Sequence, residues 1–180
     1  LLTGGVYAAM FGMASVWGAQ SGLSLPQISL FVGAIYVGGL FLQYPIGYAS
    51  DRMDRRKLIM GLSALAALVM LGASLVPLPF VAFVVVAMLL GGITNPIYAL
   101  LIAYTNDFLP REQMAGASAG LIFLNGFGAV FGPTATGWMM ERLGPSGFFA
   151  FIGLLYAALA GYAVYRMTRR AAPAVSGAFR

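Results

Sequence analysis

The sequence predicts an all-α integral membrane protein with six transmembrane helices, and three observations carry that prediction. First, of 180 residues 61% are hydrophobic and only 8% are charged, whereas a soluble domain carries about 25% charge. Second, the charges are confined to short runs, so that residues 1–50, 58–106, 113–140 and 143–165 contain none. A spanning helix needs about 20 apolar residues, so the first two stretches hold two spans each and the last two hold one each. Third, these stretches are continuously apolar, without the polar–apolar alternation over about ten residues that marks a barrel strand. High hydrophobicity also excludes disorder.

The first span covers about 2–18 and ends in the polar turn Ala19-Gln20-Ser21-Gly22-Leu23-Ser24. Pro26 then suits the first turn of a second span, about 27–50. That span stops at the charged run Asp51-Arg52-Met53-Asp54-Arg55-Arg56-Lys57. The third, about 58–76, is ended by Pro77-Leu78-Pro79, and the fourth, about 80–105, by Asn106-Asp107-Phe108-Leu109-Pro110-Arg111-Glu112. The fifth covers about 115–140 and stops at Glu141-Arg142-Leu143-Gly144-Pro145. The sixth is about 148–165. Together they make a transmembrane domain over 1–166, followed by a basic tail over 167–180. No charged n-region precedes the first apolar run, so a signal peptide is not expected, and the chain reads as part of something longer.

Alternating connections put Arg52, Arg55, Arg56, Lys57, Arg111, Arg166, Arg169, Arg170 and Arg180 on one side and Arg142 alone on the other. Basic residues concentrate on the cytoplasmic side. Both ends are therefore expected to be cytoplasmic in a multi-pass protein of the plasma membrane, the bacterial inner membrane in particular. The net charge of +5 marks topology rather than nucleic-acid binding. The absence of Cys and His removes disulfides, thiol chemistry and the commonest base and metal ligand.

An internal repeat is visible. Gly47-Tyr48-Ala49-Ser50-Asp51-Arg52 ends the second span, and Gly137-Trp138-Met139-Met140-Glu141-Arg142 ends the fifth, 90 residues later. Both read Gly, aromatic, two residues, acid, Arg, and Pro45 and Pro133 precede them. Three spans separate the copies, so they lie in opposite orientations. Inverted 3+3 repeats of this kind build secondary transporters.

The run from Gly47 through Asp51, Arg52, Asp54, Arg55 and Arg56 to Lys57 resembles the cytoplasmic signature loop of the major facilitator superfamily. That pattern is Gly, three residues, Asp, Arg or Lys, one residue, Gly, then two or three basic residues. It joins the second and third helices of each six-helix half. Asp54 replaces the second Gly here, and Asp tolerates the left-handed conformation better than most residues. The segment Gly128 to Gly137, with Gly132-Pro133 at its centre, is similar to the family's glycine-proline fifth-helix element. Pro110 to Gly116 is similar to its loop between the fourth and fifth helices.

The resemblance implies half of a twelve-helix transporter. The basic tail with no further span makes it the C-terminal half, with the N-terminal six-helix half as its partner. It also implies that Gly47, Asp51, Arg52, Arg55 and Arg56 form a gating loop, in which Asp51 latches to a neighbouring helix end.

Several in-span residues suggest roles of their own. Pro45, Pro96 and Pro133 each free the carbonyl four residues earlier, that of Phe41, Gly92 or Ala129. Gly91-Gly92-Ile93-Thr94-Asn95-Pro96 is the densest such interruption and reads as a hinge or a substrate contact, with Gly132-Pro133 a second. Gly47, Gly91, Gly92, Gly128 and Gly132 allow helices to approach closely. Away from the span ends, the amides within spans are Gln43, Asn95 and Asn125. With Tyr7, Tyr36 and Tyr98 they are the candidate lining of a polar cavity formed by spans one, two, four and five. Interhelical hydrogen bonding is the other role such residues play. The family likeness implies that spans three and six are outer supports.

No Asp, Glu, Lys or Arg lies within a span. No catalytic residue, metal site or cofactor site is therefore expected. An intramembrane enzyme would need a nucleophile with a base, a metal or paired carboxylates. The expected function is transport of a small molecule by alternating access. The alternative is a non-transporting membrane scaffold or receptor subunit.

Overall fold

A computed structural model describes residues 1–169 as six helices: α1 (Leu2–Gln20), α2 (Leu25–Ser50), α3 (Arg55–Leu75), α4 (Phe80–Asn106), α5 (Arg111–Leu143) and α6 (Ser146–Arg169). The helix boundaries have local chemical causes. At the start of α2 the Ser24 N–H donates to Gln27 Oε1 at 2.9 Å, which closes a capping box around Pro26. Val76 is extended before Pro77, as the residue preceding a proline must be. Gly144 ends α5 with φ +69° and Gly22 turns the α1–α2 connection with φ +72°. Both are conformations that side chains with a Cβ rarely adopt.

Asp54 departs from the expected left-handed turn. It is extended (φ −62°, ψ 112°) and caps α3, its carboxylate accepting from the Arg56 N–H at 2.9 Å. A carboxylate at a helix N-terminus satisfies an orphan N–H and opposes the helix dipole. That is a different solution from the turn a glycine makes. α6 continues through Arg169 and so includes positions 167–169 of the expected tail; positions 170–180 of that tail lie outside the described residues.

Five helices, α2 to α6, are long and apolar enough to cross a membrane. α1 has 19 residues but falls short in apolarity, with Thr3, Gly4, Gly5, Gly12, Ser15, Gly18 and Gln20 in its sequence. Neighbours bury nine of its residues, so much of that weakly apolar surface meets protein.

The principal pairings are α1 with α5, α2 with α4 and α3 with α6. In the first two pairs glycine lets backbone meet backbone. A Cβ on Gly38 would overlap the Met88 carbonyl, and one on Gly91 the Ile35 carbonyl. In the α1–α5 pair, Gly4 sits on the Asn125 carbonyl and Gly128 on the Leu1 carbonyl. Gly47 differs from the expectation of close packing, since a Cβ there would meet nothing within 4 Å.

One end of the bundle is held by rings. Trp17 is buried against Phe31 at 4.4 Å, Phe149 at 5.0 Å and Phe83 at 5.1 Å between centroids, so α1, α2, α4 and α6 converge there. The three connections at that end line a cleft of about 240 Å³ that includes Ser21, Pro77 and Ser146.

Candidate functional site

Midway along the helices, polar and aromatic side chains of α1, α2, α4 and α5 meet. Tyr7 is the hub. Its hydroxyl donates to Asn95 Oδ1 at 2.7 Å. Its ring lies edge-on to Tyr98 at 6.4 Å and beside Phe11 at 5.8 Å. Phe11 in turn lies 5.2 Å from Tyr36 on α2. One turn before Tyr7, Thr3 Oγ1 donates to Asn125 Oδ1 on α5 at 2.9 Å.

The reason for this assembly is helical spacing. Thr3, Tyr7 and Phe11 are four apart and share one face of α1, and that face looks towards α4 and α5. Asn95 reaches it because Gly39 is bare: a Cβ at Gly39 would collide with the Asn95 amide nitrogen. Tyr36 remains 55% exposed and Phe11 39% exposed.

Behind this face, Thr94 Oγ1 donates to the Leu90 carbonyl at 2.6 Å and shares a 2.6 Å hydrogen bond with Tyr156 on α6. The neighbouring Pro96 removes an N–H from the helix ladder, yet α4 runs unbroken from Phe80 to Asn106. Thr94 bonds the Leu90 carbonyl and not that of Gly92, which Pro96 frees, so the continuity of the helix rests on its packing. The Gly91–Pro96 segment is therefore a continuous, glycine-packed helix in this conformation. Pro45 and Pro133 likewise sit inside unbroken helices.

At the charge-rich end, the α2–α3 loop is tied to the end of α4. Arg55 Nη1 lies 2.7 Å from both carboxylate oxygens of Asp107, and its Nε donates to Ser50 Oγ at 3.3 Å. Asp51 is exposed at the C-terminus of α2 and makes no ion pair among the described residues. An anion is disfavoured at that end of a helix dipole. Arg52 stacks over Tyr48 at 3.4 Å. Arg142 takes the matching position over Trp138 at 5.7 Å. A cleft of about 320 Å³ runs from this loop towards the middle of the bundle, lined by Gln43, Asp51, Arg55, Pro96 and others.

The sequence pattern of the Major Facilitator Superfamily matches residues 1–180. The chain belongs to the major facilitator superfamily. Among curated members it is 28% identical over 151 residues to the uncharacterized MFS-type transporter YfkF of Bacillus subtilis, a match covering 81% of this chain and 37% of that protein. It is also 28% identical over 145 residues to a benzoate transport protein of Acinetobacter baylyi, covering 79% of this chain and 30% of that one. To the uncharacterized MFS-type transporter YcaD of Escherichia fergusonii it is 22% identical over 142 residues, covering 79% and 36%. The chain thus spans about a third of the length of the curated relatives it matches. No solved structure matches it. The family membership makes it a multi-pass membrane protein.

Of the cavity candidates in this superfamily chain, the structure joins Tyr7, Asn95, Tyr98 and Tyr36 through Phe11. It places Asn125 one helical turn away, on Thr3. Gln43 stands apart, in the cleft with Pro96 and the loop. Of the loop residues, Arg55 makes the inter-helix contact, through Asp107, while Arg56 is buried and 3.5 Å from Asp54. Sequence reasoning did not single out Phe11, Tyr156 or the Arg55–Asp107 pair. Phe11 had a signal, its four-residue spacing from Tyr7. The other two join residues 62 and 52 positions apart, and no local pattern announces such a pair.

Proposed function

We propose that this chain forms one six-helix half of a secondary transporter that moves a small molecule across the membrane by alternating access. The observation that carries the reading is the face built on Tyr7. Tyrosine normally sits at the membrane–water interface, and a phenolic hydroxyl left in hydrocarbon has no partner. Tyr36 is nonetheless mid-helix and more than half exposed, beside the amide–tyrosine cluster. Such a row belongs on a wet pathway or against a second half of the protein, the N-terminal six-helix half.

The inverted 3+3 repeat is supported by the glycine contacts. Gly91 and Met88 lie 87 positions after Gly4 and Leu1, and Asn125 and Gly128 lie 90 after Ile35 and Gly38. The same two glycine-on-carbonyl contacts therefore occur in both helix pairs, with the roles of the first and second three helices exchanged. The basic-side bias orients the unit with the Arg55–Asp107 end in the cytoplasm of a bacterial inner membrane. The basic loop then acts as the gate, and the pair on α3 and α4 holds one of its states.

Two experiments test this reading. The chain lacks Cys, so single cysteines at Ser21, Ser146 and Asp54 report topology. An impermeant thiol reagent added to intact cells should label the first two and leave Asp54→Cys untouched; labelling of Asp54→Cys reverses the orientation. For the gate, Arg55 and Asp107 are partly exposed, so Asp107→Asn should cost at most about 1 kcal/mol of stability. It should nevertheless shift the balance of inward- and outward-facing states while substrate still binds. Asp51→Asn, which leaves that pair intact, should shift it less. Spin-label distance distributions across the two halves measure this, and distributions unchanged by Asp107→Asn make the pair a packing contact only.

A further inference from the structure

We infer that this half recognises the aromatic ring of its substrate and leaves any carboxylate to be bound elsewhere. The inference rests on the transport reading above and names the substrate class for the same face. Four rings from three helices stand in one contiguous row, Tyr98–Tyr7–Phe11–Tyr36, at centroid separations of 6.4, 5.8 and 5.2 Å. These are the spacings at which aromatic rings attract edge-on or offset. The row is open at one end, where Tyr36 and Phe11 keep exposed faces, so a further ring can extend it. No Asp, Glu, Lys or Arg occurs in residues 1–50 or 80–106, which contain the whole of α1, α2 and α4. A carboxylate placed on this row would find no counter-ion, and an unpaired charge at membrane depth is costly. The hydrogen-bonding capacity left on the row is small, chiefly the Tyr98 and Tyr36 hydroxyls. The Tyr7 hydroxyl and Asn95 Oδ1 already satisfy each other, and the Asn95 nitrogen is packed on Gly39. A polyol would leave most of its hydroxyls unmatched. A flat apolar ring with at most one or two polar groups complements the row.

The test uses the full-length gene product in proteoliposomes with a single cysteine at Leu40. This residue lies one turn after Tyr36 and is 75% exposed, so the substitution leaves every ring in place. Leu68→Cys on α3, 73% exposed, is the lipid-facing control. Labelling by a water-soluble maleimide is timed with benzamide, benzoate, acetate or glucose present. Leu40→Cys should label much faster than Leu68→Cys, and the two ring compounds should slow it, benzamide at least as well as benzoate, while acetate and glucose do not. Adding Phe11→Ala should weaken that protection roughly three- to tenfold, the effect of losing one ring pair. If Leu40→Cys labels no faster than Leu68→Cys, the face is not a wet pathway and the transport reading of it fails along with the ring. If Leu40→Cys labels fast but glucose or acetate protects as well as benzamide, or none of the four protects, the ring assignment is overturned and the wet pathway stands.

Discussion

Replacing Gly91 by Val is expected to destabilise the bundle by roughly 3 kcal/mol or more, the upper range for overpacking a tight contact. A Cβ at this position would overlap the Ile35 carbonyl, and one at the adjacent Gly92 would lie 2.9 Å from the Gly38 carbonyl. Both obstacles are backbone, so no rotamer change relieves them and α2 must move away from α4. The move would also pull Gly39 off Asn95 and open the polar face. Gly61→Ala provides the contrast. Nothing lies within 4 Å of its added Cβ, and alanine is about 1 kcal/mol better than glycine in a helix interior. Thermal unfolding in detergent should therefore show Gly91→Val melting well below the parent and Gly61→Ala at or above it. Equal melting of parent and Gly91→Val contradicts the backbone-to-backbone contact of α2 with α4.

The second large effect concerns the Tyr7–Asn95 hydrogen bond. Asn95→Ala leaves the Tyr7 hydroxyl unpaired at membrane depth. Leaving a buried polar group unmatched costs about 1–3 kcal/mol. If the amide also faces substrate, apparent affinity should fall by up to about a hundredfold. Asn125→Ala, which strips the partner from Thr3, should act in the same direction. A combined Tyr7→Phe/Asn95→Leu variant separates two roles. Removing both partners restores a matched apolar contact, so stability should recover, while substrate affinity should not. Recovery of both would make the pair a packing device only. No midpoint of pH dependence should move in any of these variants, because no carboxylate or imidazole lies in α1, α2 or α4 or in residues 113–140 of α5. Uptake measured against substrate concentration and pH reads all of this, and a shifted midpoint with unchanged affinity would place these amides on a proton path instead.

Much of this architecture was legible in the chain itself. The number and order of helices followed from where charge is missing, because lipid excludes charge and demands long apolar runs whatever packs beside them. The charged turns between helices were legible because turn chemistry and helix-end charges are local. Asn95, Tyr7 and Asn125 stood out because polar side chains in a span are few. The apolarity of α1 was overestimated, since freedom from charge is a weaker property than hydropathy, and glycines and hydroxyls lower the second without touching the first.

What only the tertiary structure decided is which of these residues meet. One-dimensional spacing places Tyr7 and Asn95 each on a helix face but cannot rotate two helices relative to one another. Gly38 on Met88 fixes α2 against α4 and Gly4 on Asn125 fixes α1 against α5, contacts at which missing side chains let backbones touch. The resulting arrangement brings Asn95 under Tyr7 and leaves Gln43 in the cleft below. The loop shows the same division. Its basic run told that it sits at a membrane face, but the choice of Arg55 over Asp51 as its link to α4 came from the geometry of helix ends. Asp107 closes α4 within reach of the first turn of α3, while Asp51 closes α2 and makes no ion pair among the described residues.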